Sequence, residues 1–249
     1  MSYETVTLDI TDGIATLRLN RPDQRNALNI QMCDDIKAAA EAVAVSSSAR
    51  VLLVAANGPA FCGGADLKER ENKDAEWVRE RRRRSYAAYA ALAALEIPVI
   101  AVIDGPCAGS GCEIAAICDF VWASDKASFR YPEAQWGTVG ATQRLPRLVG
   151  KAIAKELMFT GRAVLADEAK AIGLANRVMP SAQLWEQVQA LAGQIAKAPP
   201  LAMKLAKRCI DQGMETTLQN GIALEQQAVG ESLANKEWIA GVQAFSKQK

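Results

Sequence analysis

The chain has 249 residues, half of them apolar, with 29 basic and 28 acidic side chains, six cysteines and no histidine. That length fits one large domain, or one domain with a small appendage, and a net charge of +1 argues against a general polyanion binder such as a nucleic-acid-binding protein. Without histidine there is no Ser-His-Asp triad, no Cys-His dyad and little basis for a zinc site, so no metal is expected. Proton transfer must fall to Asp, Glu, Lys, Tyr, Cys or held water. No apolar run approaches the ~18 residues that span a bilayer, and "MSYETVTLDI" has neither a basic-then-apolar leader nor an Arg-rich presequence, so a soluble cytoplasmic protein is expected. The cysteines (33, 62, 107, 112, 118, 209) form no CxxC pair, which predicts free thiols rather than a disulfide framework.

In chain order, "ETVTLDI" and "GIATLRLN" alternate at period two around "TDG" and predict a β-hairpin. The polar loop "RPDQRNAL" follows, then a helix over 30–45. "RVLLVAA" (50–56) is a continuous apolar run, the pattern of a strand buried on both faces. The glycine-rich loop "NGPAFCGGAD" precedes a long helix over 74–95, first charged and then Ala-rich. "PVIAVIDG" (98–105) predicts a second buried strand, Glu113 opens a helix, and "FVWAS" is a short strand. After "ASFRYPEAQWG" the chain reads as mainly helical, with a break at Pro199-Pro200. Strand–helix alternation around buried strands indicates an α/β fold.

Chemistry concentrates at two glycine-rich turns that follow the buried strands, "FCGGADLKE" and "CAGSGCEI". Glycine lets backbone approach a ligand, and a helix N-terminus offers free N–H groups; two such turns facing each other could present two donors to one oxygen, as in an oxyanion hole. Either turn alone is more simply an ordinary tight turn. Gly109-x-Gly111 mimics a dinucleotide fingerprint, but Ile114 stands where its third glycine belongs. A Ser nucleophile elbow fails too, since Ala108 and Cys112 occupy the glycine positions. Glu113 and Glu133 each lie beside a tight Gly or Pro turn among apolar neighbours. Two carboxylates converging on a dry cavity push their pKa values apart, leaving one acid and one base near neutral pH.

"RPDQRNAL", "AFCGGADLKE", "GPCAGSGCEIAAICDF", "YPEAQWG", "TQRLPRLVGKAIAKELMFTGR" and "ADEAKAIGLANRVMP" stand in this order along essentially the whole chain. Together they resemble the crotonase superfamily, specifically its enoyl-CoA hydratase/isomerase branch. The resemblance implies a ββα superhelix over residues 1–195, carrying the CoA and active sites, and a C-terminal helical oligomerisation region over 196–249. It implies an acyl-CoA substrate, no cofactor beyond the coenzyme A that the substrate carries, and a homotrimer or dimer of trimers. Two backbone N–H groups, matching Gly63 and Ser110, would hold the thioester oxygen. Glu113 would orient and help deprotonate a water, and Glu133 would supply a proton at Cα. Arg25, Ala27, Ala65, Asp66, Leu67 and Lys68 match positions that grip CoA, and Phe245 matches one that reaches a neighbour's CoA.

The same likeness leaves alternatives. An isomerase needs one carboxylate, for which Glu133 suffices, and other members run different acyl-CoA reactions or bind CoA or RNA without catalysis. "GTVGATQRL" is about three residues shorter than the loop most hydratases carry; with Arg130, Tyr131 and Trp136 it predicts a narrower or reshaped acyl pocket with Trp136 against the substrate. "RERRRR" (79–84) reads first as a solvated helix face and second as an RNA-binding patch.

Overall fold

The computed structural model describes residues 3–246. Its strands are β1 (Val6–Thr11), β2 (Ile14–Leu19), β3 (Val51–Ala56), β4 (Val99–Ile103), β5 (Pro106–Ala108), β6 (Phe120–Ser124), β7 (Ser128–Arg130), β8 (Ala163–Leu165) and β9 (Arg177–Met179). Its helices are α1 (Ile30–Ala44), α2 (Ala75–Ala93), α3 (Ser110–Ile117), α4 (Leu145–Val149), α5 (Lys151–Thr160), α6 (Ala166–Ala171), α7 (Ser181–Ala196), α8 (Pro200–Gly213), α9 (Leu218–Asn235) and α10 (Glu237–Ser246). The expected hairpin is present: β1 and β2 pair antiparallel through Asp12 and Gly13, both at positive φ, the backbone a two-residue hairpin turn requires.

From β2 onward the main sheet is parallel, in the order β1-β2-β3-β4-β6-β9, and a smaller sheet runs β5-β7-β8. The apolar run of β3 is explained by cover on both faces. Val51, Leu53 and Ala55 pack with Ile100, Val102 and three residues of α7, Leu184, Val188 and Ala192. Leu52 and Val54 point the other way, into the larger core that holds the inner residues of α1 and α2. Asn29 caps α1 by accepting from Met32 N at 2.9 Å, and Asp74 caps α2 by accepting from Trp77 N at 2.8 Å. The strands β7, β8 and β9 lie where the sequence reads as loop and helix; at three residues each they are too short to show an alternating pattern.

Beyond α7 the chain turns at Pro199, and Pro200 opens α8 where its missing N–H costs no hydrogen bond. Lys207 anchors α8 to the sheet by donating to Asp119 and to the Ile97 carbonyl. Ile210, Met214, Leu218 and Ile222 on α8, α9 and their connection remain exposed. None of the six cysteines is in a disulfide, as expected. No helix among the described residues is long and apolar enough to cross a membrane.

The polar loop between β2 and α1 is fixed by one fully buried side chain, Asn26. Its amide donates to the carbonyls of Asn57 (2.9 Å) and Ala60 (2.8 Å), and its oxygen accepts from Arg21 N at 2.7 Å. Asn26 therefore ties this loop to the turn after β3, with its own backbone at φ 53°, a region asparagine tolerates better than most residues. Asn26→Ala leaves three backbone groups without a partner and is expected to destabilise the protein by about 2 kcal/mol or more, read as a lower urea midpoint at unchanged slope.

Candidate active site

β3 and β4 end side by side, and the turns that follow them are stitched together. Cys62 and Cys107 form a parallel bridge, with Ala108 N donating to Cys62 O at 2.9 Å and Phe61 N to Pro106 O at 3.0 Å. The turns touch at their tips: a Cβ on Gly64 would lie 3.3 Å from the Ala108 carbonyl oxygen. Both turns open on one cavity of ≈ 290 Å³, whose wall includes Ala65, Ser110, Glu113, Glu133 and Trp136.

The donor expected at Gly63 requires correction. Gly63 lines the cavity, but its N–H donates to Arg25 O at 2.8 Å and is not free for a substrate oxygen. The free donor lies two residues later. Ala65 bridges Leu28 in parallel fashion, with Leu28 N bound to Gly64 O (2.7 Å) and Asp66 N bound to Leu28 O (3.0 Å). In such a bridge the central residue's own N–H faces away from its partner. No acceptor among the described residues takes the Ala65 N–H. Ser110 is the first residue of α3, so its N–H has no partner within the helix. The Ser110 hydroxyl meets that of Tyr89, which burial keeps a neutral phenol by pushing its pKa up.

The two glutamates face the same cavity in different electrostatic settings. Glu113, in the first turn of α3, accepts a hydrogen bond from Arg144 at 3.0 Å, and its side chain is 12% exposed. Glu133 precedes the short turn Ala134–Trp136, and its Oε2 is buried without a hydrogen-bond partner. Burial pushes its pKa up, the charge of Glu113 adds to the rise, and Arg82 opposes it. The shortened loop folds back on this acid: a Cβ on Gly140 would lie 3.2 Å from Glu133 Cγ, so the loop's glycine leaves room for the carboxylate. The sequence places Ala65 among the CoA-gripping positions rather than as a donor and Arg82 only within the charged run 79–84, and it gives no role to Tyr89 or Arg144. Arg144 lies in "TQRL", one of the motifs that carry the resemblance.

The positions expected to grip CoA divide. Arg25, Leu67 and Lys68 are exposed, and Ala65 and Leu67 line the cavity. The Asp66 carboxylate is buried and consumed internally, by Arg21 at 2.9 Å and by the N–H groups of Lys68 and Glu69, and the Ala27 carbonyl accepts from Arg21; both brace the loop. Phe245 falls in α10, and its side chain lies outside the described residues. Tyr131, expected to narrow the pocket, is instead buried in the core at 2% exposure, while Arg130 and Trp136 do line the cavity. The arginines of α2 are mostly neutralised in place: Arg79 pairs with Glu76, Arg83 with Glu80, Arg84 with Glu80 and Asp34, and Arg81 is buried beside Glu69. That leaves little free charge for a nucleic acid. Burial pushes the Cys62 thiol up to about 12 and raises the Cys107 thiol well above its ordinary value, so these two cysteines beside the turns are packing residues rather than nucleophiles.

Two main-chain donors and two unlike carboxyl groups on one cavity are what acyl-thioester chemistry requires, and comparison with known proteins agrees. The sequence profile of the enoyl-CoA hydratase/isomerase family matches residues 9–249. A crotonyl-CoA hydratase of Syntrophomonas wolfei is 36% identical, the alignment covering 100% of this chain and 97% of that protein. A 2,3-dehydroadipyl-CoA hydratase of Escherichia coli is 36% identical over 95% of this chain and 93% of its own. The crystal structure of an enoyl-CoA hydratase from Bacillus anthracis superposes with a TM-score of 0.96 at 34% identity, covering 99% of this chain and 97% of that one. The site thus sits on a crotonase fold, and the chain belongs to the enoyl-CoA hydratase/isomerase family of the crotonase superfamily.

Proposed function

We propose that this protein is an enoyl-CoA hydratase that adds water across the 2,3 double bond of an enoyl-CoA thioester. The observation that carries this is the pair of unlike glutamates on one cavity, one held by Arg144 and the other kept toward its protonated form by burial. In the proposed reaction the thioester oxygen accepts from Ala65 N–H and Ser110 N–H, which stabilise the negative charge that develops on it. One such donor is typically worth about 3 kcal/mol in the transition state. Glu113 takes a proton from water as its oxygen bonds to Cβ, and Glu133 gives its proton to Cα. Turnover leaves Glu113 protonated and Glu133 ionised, and exchange with solvent restores both. This chemistry draws on side chains and main chain alone, with coenzyme A entering as part of the substrate.

Exposed Arg25 and Lys68 suit the phosphates of CoA, with Leu67 beside them against its pantetheine. A cavity of ≈ 290 Å³ suits a short acyl group, with Trp136 at its wall. The exposed apolar side chains of α8 and α9 support an assembly in which residues 196–249 pack between subunits of a trimer or dimer of trimers, beyond a core of residues 1–195. A cytoplasmic location is proposed with it.

Purified protein incubated with crotonyl-CoA should hydrate it, and both Glu113→Gln and Glu133→Gln should lower that rate by about 10²–10⁴-fold. Shift of the double bond in a 3-enoyl-CoA should survive Glu113→Gln and be lost in Glu133→Gln. An isomerase would instead leave crotonyl-CoA unhydrated in the wild type.

Glu133 also makes stability depend on pH. Its folded pKa lies above the ordinary 4.5, so between these values the native state binds more protons than the unfolded chain, and stability falls as pH rises through that window. Glu133→Gln removes this penalty. The variant should melt above the wild type at pH 8, with the gap closing below about pH 4. A thermal melt series across pH measures it, and a variant less stable than wild type at pH 8 would contradict the assigned burial cost.

A further inference from the structure

The face of α2 that borders the cavity carries Val78, Arg81, Arg82, Ser85, Tyr86 and Tyr89, most of them at helical spacing. Its C-terminal end is the thioester end, since Tyr89 meets Ser110. Of the two charges on this face, Arg81 is buried and held by Glu69 and the Leu28 carbonyl, which leaves Arg82. Two helical turns, about 10 Å, separate Tyr89 from Arg82, room for an extended six-carbon acyl chain of about 6 Å with a hydrogen bond of about 3 Å at its far end.

Arg82 differs from the arginines beside it. Arg79, Arg81, Arg83 and Arg84 each have a glutamate or aspartate partner within their own helix or on a neighbouring element. Arg82 donates instead to two neutral acceptors on the far wall, the Val139 carbonyl at 2.7 Å and the Thr138 hydroxyl. A guanidinium has five N–H donors, so further donors remain to face the cavity. Glu133 feels its charge but makes no ion pair with it among the described residues. A half-buried cation without a counter-anion is unfavourable in a pocket meant for a plain alkyl chain. It is favourable when the ligand brings the anion.

We propose that Arg82 is a specificity residue that binds a carboxylate at the far end of the acyl chain, so that the substrates are enoyl-CoA thioesters of dicarboxylic acids. The assignment rests on the hydratase reading for its chemistry, but the recognition of charge can be tested apart from turnover.

Two length-matched pairs make that separation. For turnover, 2,3-dehydroadipyl-CoA is compared with 2-hexenoyl-CoA. For binding, saturated adipoyl-CoA is compared with hexanoyl-CoA by calorimetry, since neither can be hydrated. The wild type should prefer the dicarboxylic member of each pair by about tenfold or more, and Arg82→Gln should bring both ratios close to one. Thr138→Val, which removes a loop anchor but keeps the guanidinium, should lower both members of a pair alike and preserve the ratio, which separates recognition of charge from bracing of the loop. Equal or reversed preference in the wild type, or an unchanged ratio in Arg82→Gln, would overturn the proposal. Binding preference for adipoyl-CoA without hydration of either enoyl substrate would instead overturn the hydratase reading and leave the carboxylate site standing.

Discussion

Everything at this site hangs on the stitch between the ends of β3 and β4. The Cys62–Cys107 bridge brings two turns from sequence-distant strands into contact, and neither turn could hold the other's position through flexible side chains. The contact leaves no slack: a Cβ on Gly111 would come within 2.7 Å of Cys62 Cβ, so α3 can begin where it does only because that residue is glycine. The start of α3 in turn sets where the Ser110 N–H points and where Glu113 enters the cavity. Because the donor at position 110 is a main-chain group, a serine there still presents its N–H at the start of α3.

The asymmetry between the two glutamates follows from the same framework. Glu113 rides on a helix and receives Arg144, a cation delivered by the segment that opens α4. Glu133 sits after β7 in the smaller sheet, with a glycine-bearing loop folded over it and an orphaned oxygen. One carboxylate is compensated and the other is left to burial, so the difference between them comes from their surroundings and not from residue type. Arg82 works within this balance. Its charge opposes the rise at Glu133, so a guanidinium any closer would favour ionisation of that carboxyl group.

The sequence made the α/β class, the hairpin, both buried strands and the long helices legible, because each has a periodic or continuous apolar pattern answered by real burial. The carboxylates were legible as polar residues out of place among small apolar ones. The donor at Ala65 was not. Whether an N–H is free depends on which way a bridge to Leu28 turns the peptide plane, and the adjacent glycines drew attention to Gly63, whose N–H is already taken by the Arg25 carbonyl. Asn26 was hidden for a similar reason, since a polar residue in a polar loop gives no sign that it is fully buried. The three short strands carried no signal of their own: β9 adds to the edge of β6, while β7 and β8 form with β5 a sheet of three-residue strands.

The arginine run on α2 illustrates how one composition can serve unlike ends. Six consecutive charged residues, 79–84, look uniform in sequence, yet the helix turns them through a full revolution and more. Some meet acids on the same helix, Arg84 also reaches Asp34 on α1, Arg81 is buried and bound to the Leu28 carbonyl, and Arg82 borders the cavity without an acidic partner among the described residues. A patch for a polyanion would need these charges to point together and stay unpaired. The helix does the opposite: it spends most of them in holding its own position and leaves one where a substrate passes, which makes a small anionic ligand the more economical use of the charge that remains.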